Sequence, residues 1–120
     1  EPKISRIYTH SNLYSHIVGQ VDEDSIGISG LEKSLNEKLI TQKNPISLTV
    51  DTNIQFLIRE ELIQANKIFK TEGSAAILMD VNNGEIISMV STPDYDLNKR
   101  SKLNDKKFIN SITKGIYEFG

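Results

Sequence analysis

Ser111 and Lys114, one helical turn apart in Ser111-Ile-Thr-Lys114, are the pair in this chain best spaced for covalent chemistry. A lysine so placed can take the proton of a serine hydroxyl, and the serine can then attack an acyl carbon. That reaction also needs donors for the oxyanion. With 12 serines and 11 lysines in 120 residues, the spacing arises about once by chance. Ser34-Leu-Asn36 offers a serine and an amide two residues apart, again at chance level. No Lys-Ser-Gly or Lys-Thr-Gly stands anywhere in the chain. Neither pair is taken as catalytic.

Other chemistry-bearing residues read as structural. Asp94-x-Asp96-x-Asn98, with Asp105 further on, echoes a calcium loop, but Lys99 stands where that loop needs glycine. The expected reading is a turn with polar caps. His10 and His16 are the only histidines and there is no cysteine, so no ligand set for a metal is expected. Asp80 reads as a hydrogen-bonded turn acid rather than a general base. Five basic residues between Lys99 and Lys107 have only Phe108 near them, so they read as a solvated loop rather than a nucleic-acid surface.

The elements that must hold these residues follow from periodicity. Ser15–Val21 predicts a strand. Gly27 and Gly30 bracket a turn. Ser29 is placed to cap a helix with Glu32 as its capping-box partner. Leu31, Leu35 and Leu39 predict one helix over 29–39. Ile46–Val50 alternates like a strand. Asp51 or Thr52 then caps a second helix, with Ile54, Leu57, Ile58, Leu62, Ala65, Ile68 and Phe69 as its apolar stripe and Gly73 as its stop. Residues 75–91 predict a hairpin around Asn83-Gly84, the preferred two-residue type I′ turn. That turn pairs Val81 with Ile86, Met79 with Ser88 and Ile77 with Val90. Both faces of the hairpin are apolar, so it expects cover on both sides. The second helix supplies one cover. The absence of an obvious second is read as a missing part of the domain, or as a face that would let the chain associate with another copy.

Composition bounds the class. The chain is 38% hydrophobic, low for a self-contained core, and its net charge of −2 points away from nucleic acid. Without cysteines, disulfides and thiolate metal sites are excluded. No apolar run approaches the roughly 20 residues that span a bilayer, and no signal peptide opens the sequence.

Several pieces, taken in order, resemble class B penicillin-binding proteins. Arg6-Ile-Tyr8 is similar to the family's Arg-x-Tyr-Pro element, with Thr9 in place of proline, and His16-Ile-Val-Gly19 is similar to the strand that follows. Gly27-Ile-Ser-Gly30-Leu-Glu32 resembles the Gly-x-x-Gly-Leu-Glu element of the non-catalytic pedestal domain. Leu48-Thr-Val-Asp51 with Gln55 resembles the opening of the transpeptidase domain. Ala76–Asp80, Gly84–Met89 and Thr92–Asn98 resemble its first hairpin and exit loop. Asn110–Gly120 is similar to the run that leads into the family's Ser-x-x-Lys motif, although Phe119 stands where proline is usual. In that register Ser111 falls well before the nucleophile. The connection from Leu39 to Leu48 is shorter than the family's.

The resemblance implies an α+β fold: residues 1–45 as the end of the pedestal, and 46–120 as the first helix and hairpin of a transpeptidase domain like that of serine β-lactamases. It implies a membrane-anchored, extracytoplasmic D,D-transpeptidase that crosslinks stem peptides, is acylated by β-lactams and works with division or cell-wall synthesis proteins. The closeness of Asp24–Gly27 to Glu32 favours the septal branch. It implies no cofactor, and a chain inactive by itself because the nucleophile is due just after Gly120. Arg6 and Glu32 are expected to pair and stiffen the pedestal. Gly30, Asp51, Asn83 and Gly84 are expected structural positions. The alternative reading is a non-catalytic pedestal-type interaction module.

Overall fold

A computed structural model describes residues 6–99 and 106–116. The chain divides into two units, Glu1–Ser47 with Tyr95–Ser101, and Leu48–Asp94 with Lys102–Gly120. Arg100, Lys102, Asp105 and the last four residues, for which the sequence carries expectations, lie outside the described residues.

The first unit is built from short helices: α1 (Ser15–Val18), α2 (Gly30–Ser34) and α3 (Asn36–Thr41). The strand expected over 15–21 is instead one helical turn. Ile17 and Val18 favour a strand by propensity, but among the described residues no strand pairs with them. The Tyr95 hydroxyl donates to Ser15 O at 3.0 Å and holds the turn. Val21 forms a single bridge, to Gly27, among the described residues. The helix expected over 29–39 breaks at Leu35, whose φ and ψ are −112° and 15°. Just beyond the break, the Asn36 side chain accepts the Gly27 N–H at 2.9 Å. Ser29 does sit before α2, but its hydroxyl accepts from Gln20 N at 2.9 Å, so no capping box forms. Gly27 lies against the Glu32 carbonyl so closely that a Cβ there would stand 1.9 Å from its oxygen.

The second unit is built around a long helix packed on a hairpin. Asp51 caps α4 (Thr52–Phe69), its Oδ1 accepting from Ile54 N at 2.9 Å. The helix ends at Lys70 in the left-handed conformation, φ 52°, rather than at Gly73. β1 (Ser74–Met79) and β2 (Ile86–Thr92) pair antiparallel, with Ile77 opposite Met89 and Leu78 opposite Ser88. The expected register is therefore off by one. A bulge between Leu78 and Met79 and a longer loop cause the slip. Residues 81–84 form that loop, closed by Asp80 N to Glu85 O at 2.9 Å and Gly84 N to Asp80 O at 2.8 Å. Residues 46–50 make no strand. Thr49 Oγ1 donates to Ile86 O at 2.6 Å, and Asp51 N to Ile87 O at 2.9 Å.

The expected stripe of α4 is only partly used, since Leu57, Ile68 and Phe69 are exposed. The buried seam against β2 is polar instead, with Gln55, Ser88 and Thr92 around Val90. The other face of the hairpin is partly covered by α5 (Ser111–Lys114), which follows a 3-10 turn at Lys106–Phe108. Ile77, Leu78, Met79 and Val81 stay exposed. Among the described residues no helix is long and apolar enough to cross a membrane.

Candidate functional site

In the first unit, Glu32 gathers its neighbours. Arg6 Nε lies 3.1 Å from Glu32 Oε1, and the Tyr8 hydroxyl donates to the same oxygen at 3.2 Å. The Glu32 side chain is 8% exposed and that of Arg6 33%. Burial and the Glu32 carboxylate push the Tyr8 hydroxyl up to about 12. Tyr8 is also fixed through its backbone. Its N–H donates to Asn98 Oδ1 at 2.9 Å, and Asn98 Nδ2 returns a bond to Tyr8 O at 2.8 Å. Asp96 Oδ1 in turn accepts the Asn98 N–H at 2.9 Å. Glu32 Oε2 is buried with no hydrogen-bond partner among the described residues. One carboxylate oxygen thus ties a guanidinium and a phenol together.

In the second unit, β2 is held from both faces. From α4, Gln55 accepts from Ser88 Oγ at 2.7 Å and Met89 N at 3.0 Å, and donates to Met89 O at 2.9 Å. Arg59 forks onto Asp94, Nε to Oδ2 at 2.6 Å and Nη2 to Oδ1 at 3.3 Å, and that hydrogen bonding pushes the guanidinium further up. Asn66 donates to Thr92 Oγ1 at 2.8 Å, which also accepts the Ser74 N–H at 3.1 Å. From the other face, the Ser111 N–H donates to Ser91 Oγ at 3.0 Å. Asn110 caps α5 through Ile112 N at 3.1 Å, and its Nδ2 reaches Met89 Sδ at 3.5 Å.

The geometry sorts the residues singled out from sequence. Arg6 and Glu32 meet, and Gly30 stands at the start of the same helix with φ +57°. Asp51 is the cap of α4. Asn83 accepts the Glu85 N–H at 2.9 Å, and only Gly84 has positive φ, +74°. The turn is therefore not type I′, which needs positive φ at both positions. Ser111 begins a four-residue helix whose Lys114 is exposed. Both oxygens of Asp94 are taken by Arg59. Among the described residues no three His, Cys, Asp or Glu gather to hold a metal. Sequence reasoning missed the Arg59–Asp94 fork and the Gln55 clamp. Gln55 was marked only by the family resemblance, and a lone Arg–Asp pair 35 residues apart leaves no periodic signal.

No family model matches the chain. A probable peptidoglycan D,D-transpeptidase FtsI of Caulobacter vibrioides is 30% identical over 124 residues, covering 100% of this chain and 21% of that protein. The peptidoglycan D,D-transpeptidase FtsI of Buchnera aphidicola is 32% identical over 142 residues, covering 96% of this chain and 25% of that protein. The chain thus spans a quarter or less of the length of these relatives. Among solved structures, penicillin-binding protein 3 of Mycobacterium tuberculosis superposes with a TM-score of 0.72 at 26% identity, covering 80% of this chain and 24% of that one. From its ordered motifs, its α+β fold and these relatives, the chain belongs to the class B penicillin-binding proteins.

Proposed function

We propose that the complete protein is a serine peptidoglycan D,D-transpeptidase, and that this chain supplies the end of its pedestal and the opening of its transpeptidase domain. The observation that supports this most is that relatives named for that activity match the chain along 96% to 100% of its length at 30% to 32% identity. The serine would attack the carbonyl of the penultimate D-Ala of a stem peptide. The bond to the terminal D-Ala breaks, that residue leaves with the proton, and the acyl group passes to the amine of a neighbouring stem. A β-lactam would acylate the same serine by opening its ring. Mycobacterium tuberculosis penicillin-binding protein 3 has been solved complexed with aztreonam and with ampicillin, which supports β-lactams as ligands here.

In this reading the chain itself is inactive and its work is positioning. The complete protein is anchored in the inner membrane, acts on the extracytoplasmic side and works with division proteins. The relatives named FtsI favour the septal branch. A fluorescent penicillin tests the proposal. It should label the complete protein covalently and leave the 120-residue chain unlabelled. An unlabelled complete protein would instead favour a non-catalytic pedestal-type module.

A further inference from the structure

We propose that Ser91 is a positioning residue for the acyl-transfer centre, fixing the backbone at Ser111 and so the course of the chain beyond it. The inference rests on the transpeptidase reading and deepens it. Ser91 is polar, lies on a strand and is only 2% exposed. A hydroxyl so buried must find its partners in the protein, and here it accepts the Ser111 N–H at 3.0 Å. One residue earlier, Asn110 caps α5 and touches Met89.

These contacts matter because α5 is a single turn, too short to hold its own direction. Its placement is borrowed from β2. That strand is in turn locked on its opposite face, where Gln55 takes both the N–H and the C=O of Met89. A chain of contacts therefore runs from α4 through Met89 and Ser91 to Asn110 and Ser111. On the transpeptidase reading the reacting group follows this segment, so its placement depends on the anchor at Ser111. A displacement of about 1 Å at such a group costs up to about a hundredfold in rate.

The test uses the complete protein and two substitutions that remove opposite ends of one hydrogen bond. Ser91→Ala removes the acceptor. Ser111→Pro removes the donor at the first helical position, where proline is tolerated, and the extended Asn110 before it, φ −72° and ψ 103°, suits a following proline. Acylation by a fluorescent penicillin is followed over concentration, per folded molecule. Each single variant is expected to slow acylation at saturation about tenfold, with apparent binding of the penicillin within about twofold of the parent. The double variant should be no slower than the slower single one. Unchanged saturating rates in both single variants, or multiplying effects in the double, would overturn the role of Ser91. An unlabelled parent protein would instead overturn the transpeptidase reading beneath it.

Discussion

Gln55 and Ser88 meet across the seam between α4 and β2, the serine hydroxyl donating to Gln55 Oε1 at 2.7 Å, with Gln55 1% exposed and Ser88 fully buried. A helix that reads as apolar thus docks through its amide. Gln55→Leu keeps the volume but strands the Met89 N–H and C=O and the Ser88 hydroxyl. The expected loss is about 3 kcal/mol in urea unfolding, since each orphaned buried group costs about 1–3 kcal/mol. Gln64→Ala, on the exposed side of the same helix, should stay within about 0.5 kcal/mol.

Arg59 grips Asp94 with two nitrogens, and the side chains are 20% and 13% exposed. A lysine cannot reproduce that fork. Arg59→Lys should therefore cost about 2 kcal/mol, nearly as much as Arg59→Ala. Glu60→Gln, whose pairing with Arg59 is much more exposed, should cost less than about 0.5 kcal/mol. Equal losses for Arg59→Lys and Glu60→Gln would contradict the geometry.

Glu32 holds Arg6 and Tyr8 on one oxygen. Glu32→Ala leaves the guanidinium and phenol without their partner and is expected to cost roughly 2–4 kcal/mol. The pH dependence has a definite sign. The Tyr8 hydroxyl is raised from 10.0 to about 12 by burial and by Glu32, so between those values the folded state binds more protons than the unfolded one. The stabilisation is complete below pH 10 and is lost as pH rises towards 12. Urea midpoints of the native chain should therefore fall faster in that window than those of Tyr8→Phe. Parallel curves would show that Tyr8 is not held by the carboxylate.

Much of this was legible in the sequence. The α4 span and its Asp51 cap follow from a long periodic run with an acid at its start. The hairpin's existence follows from Asn83-Gly84. Its register does not, because Asp80 Oδ1 accepts the Asn82 N–H at 2.8 Å and supports a longer loop. The first unit was least legible, since its helices are about one to two turns long and are placed by single side chains such as Tyr95 and Asn36. Polar seams are also silent in hydropathy patterns, which is why Gln55 and Asn66 gave no signal of their own.

Two glycines separate steric from conformational demand. Gly27→Ala would drive a methyl into the backbone at Glu32, 1.9 Å from its carbonyl oxygen. A shift of main chain against main chain should cost about 3 kcal/mol or more. Gly84 has φ +74° with open space around it, so Gly84→Ala should cost only about 1–2 kcal/mol. The ranking is read from thermal midpoints, and a reversed order would place the close approach elsewhere.

The most direct test of the account is to locate the acyl group. The complete protein is treated with a penicillin, digested and mapped by mass spectrometry. A single adduct is expected, on a serine C-terminal to Gly120 that opens a Ser-x-x-Lys motif, with Ser111 unmodified. An adduct on Ser111 would contradict the register and the positioning role given to this chain.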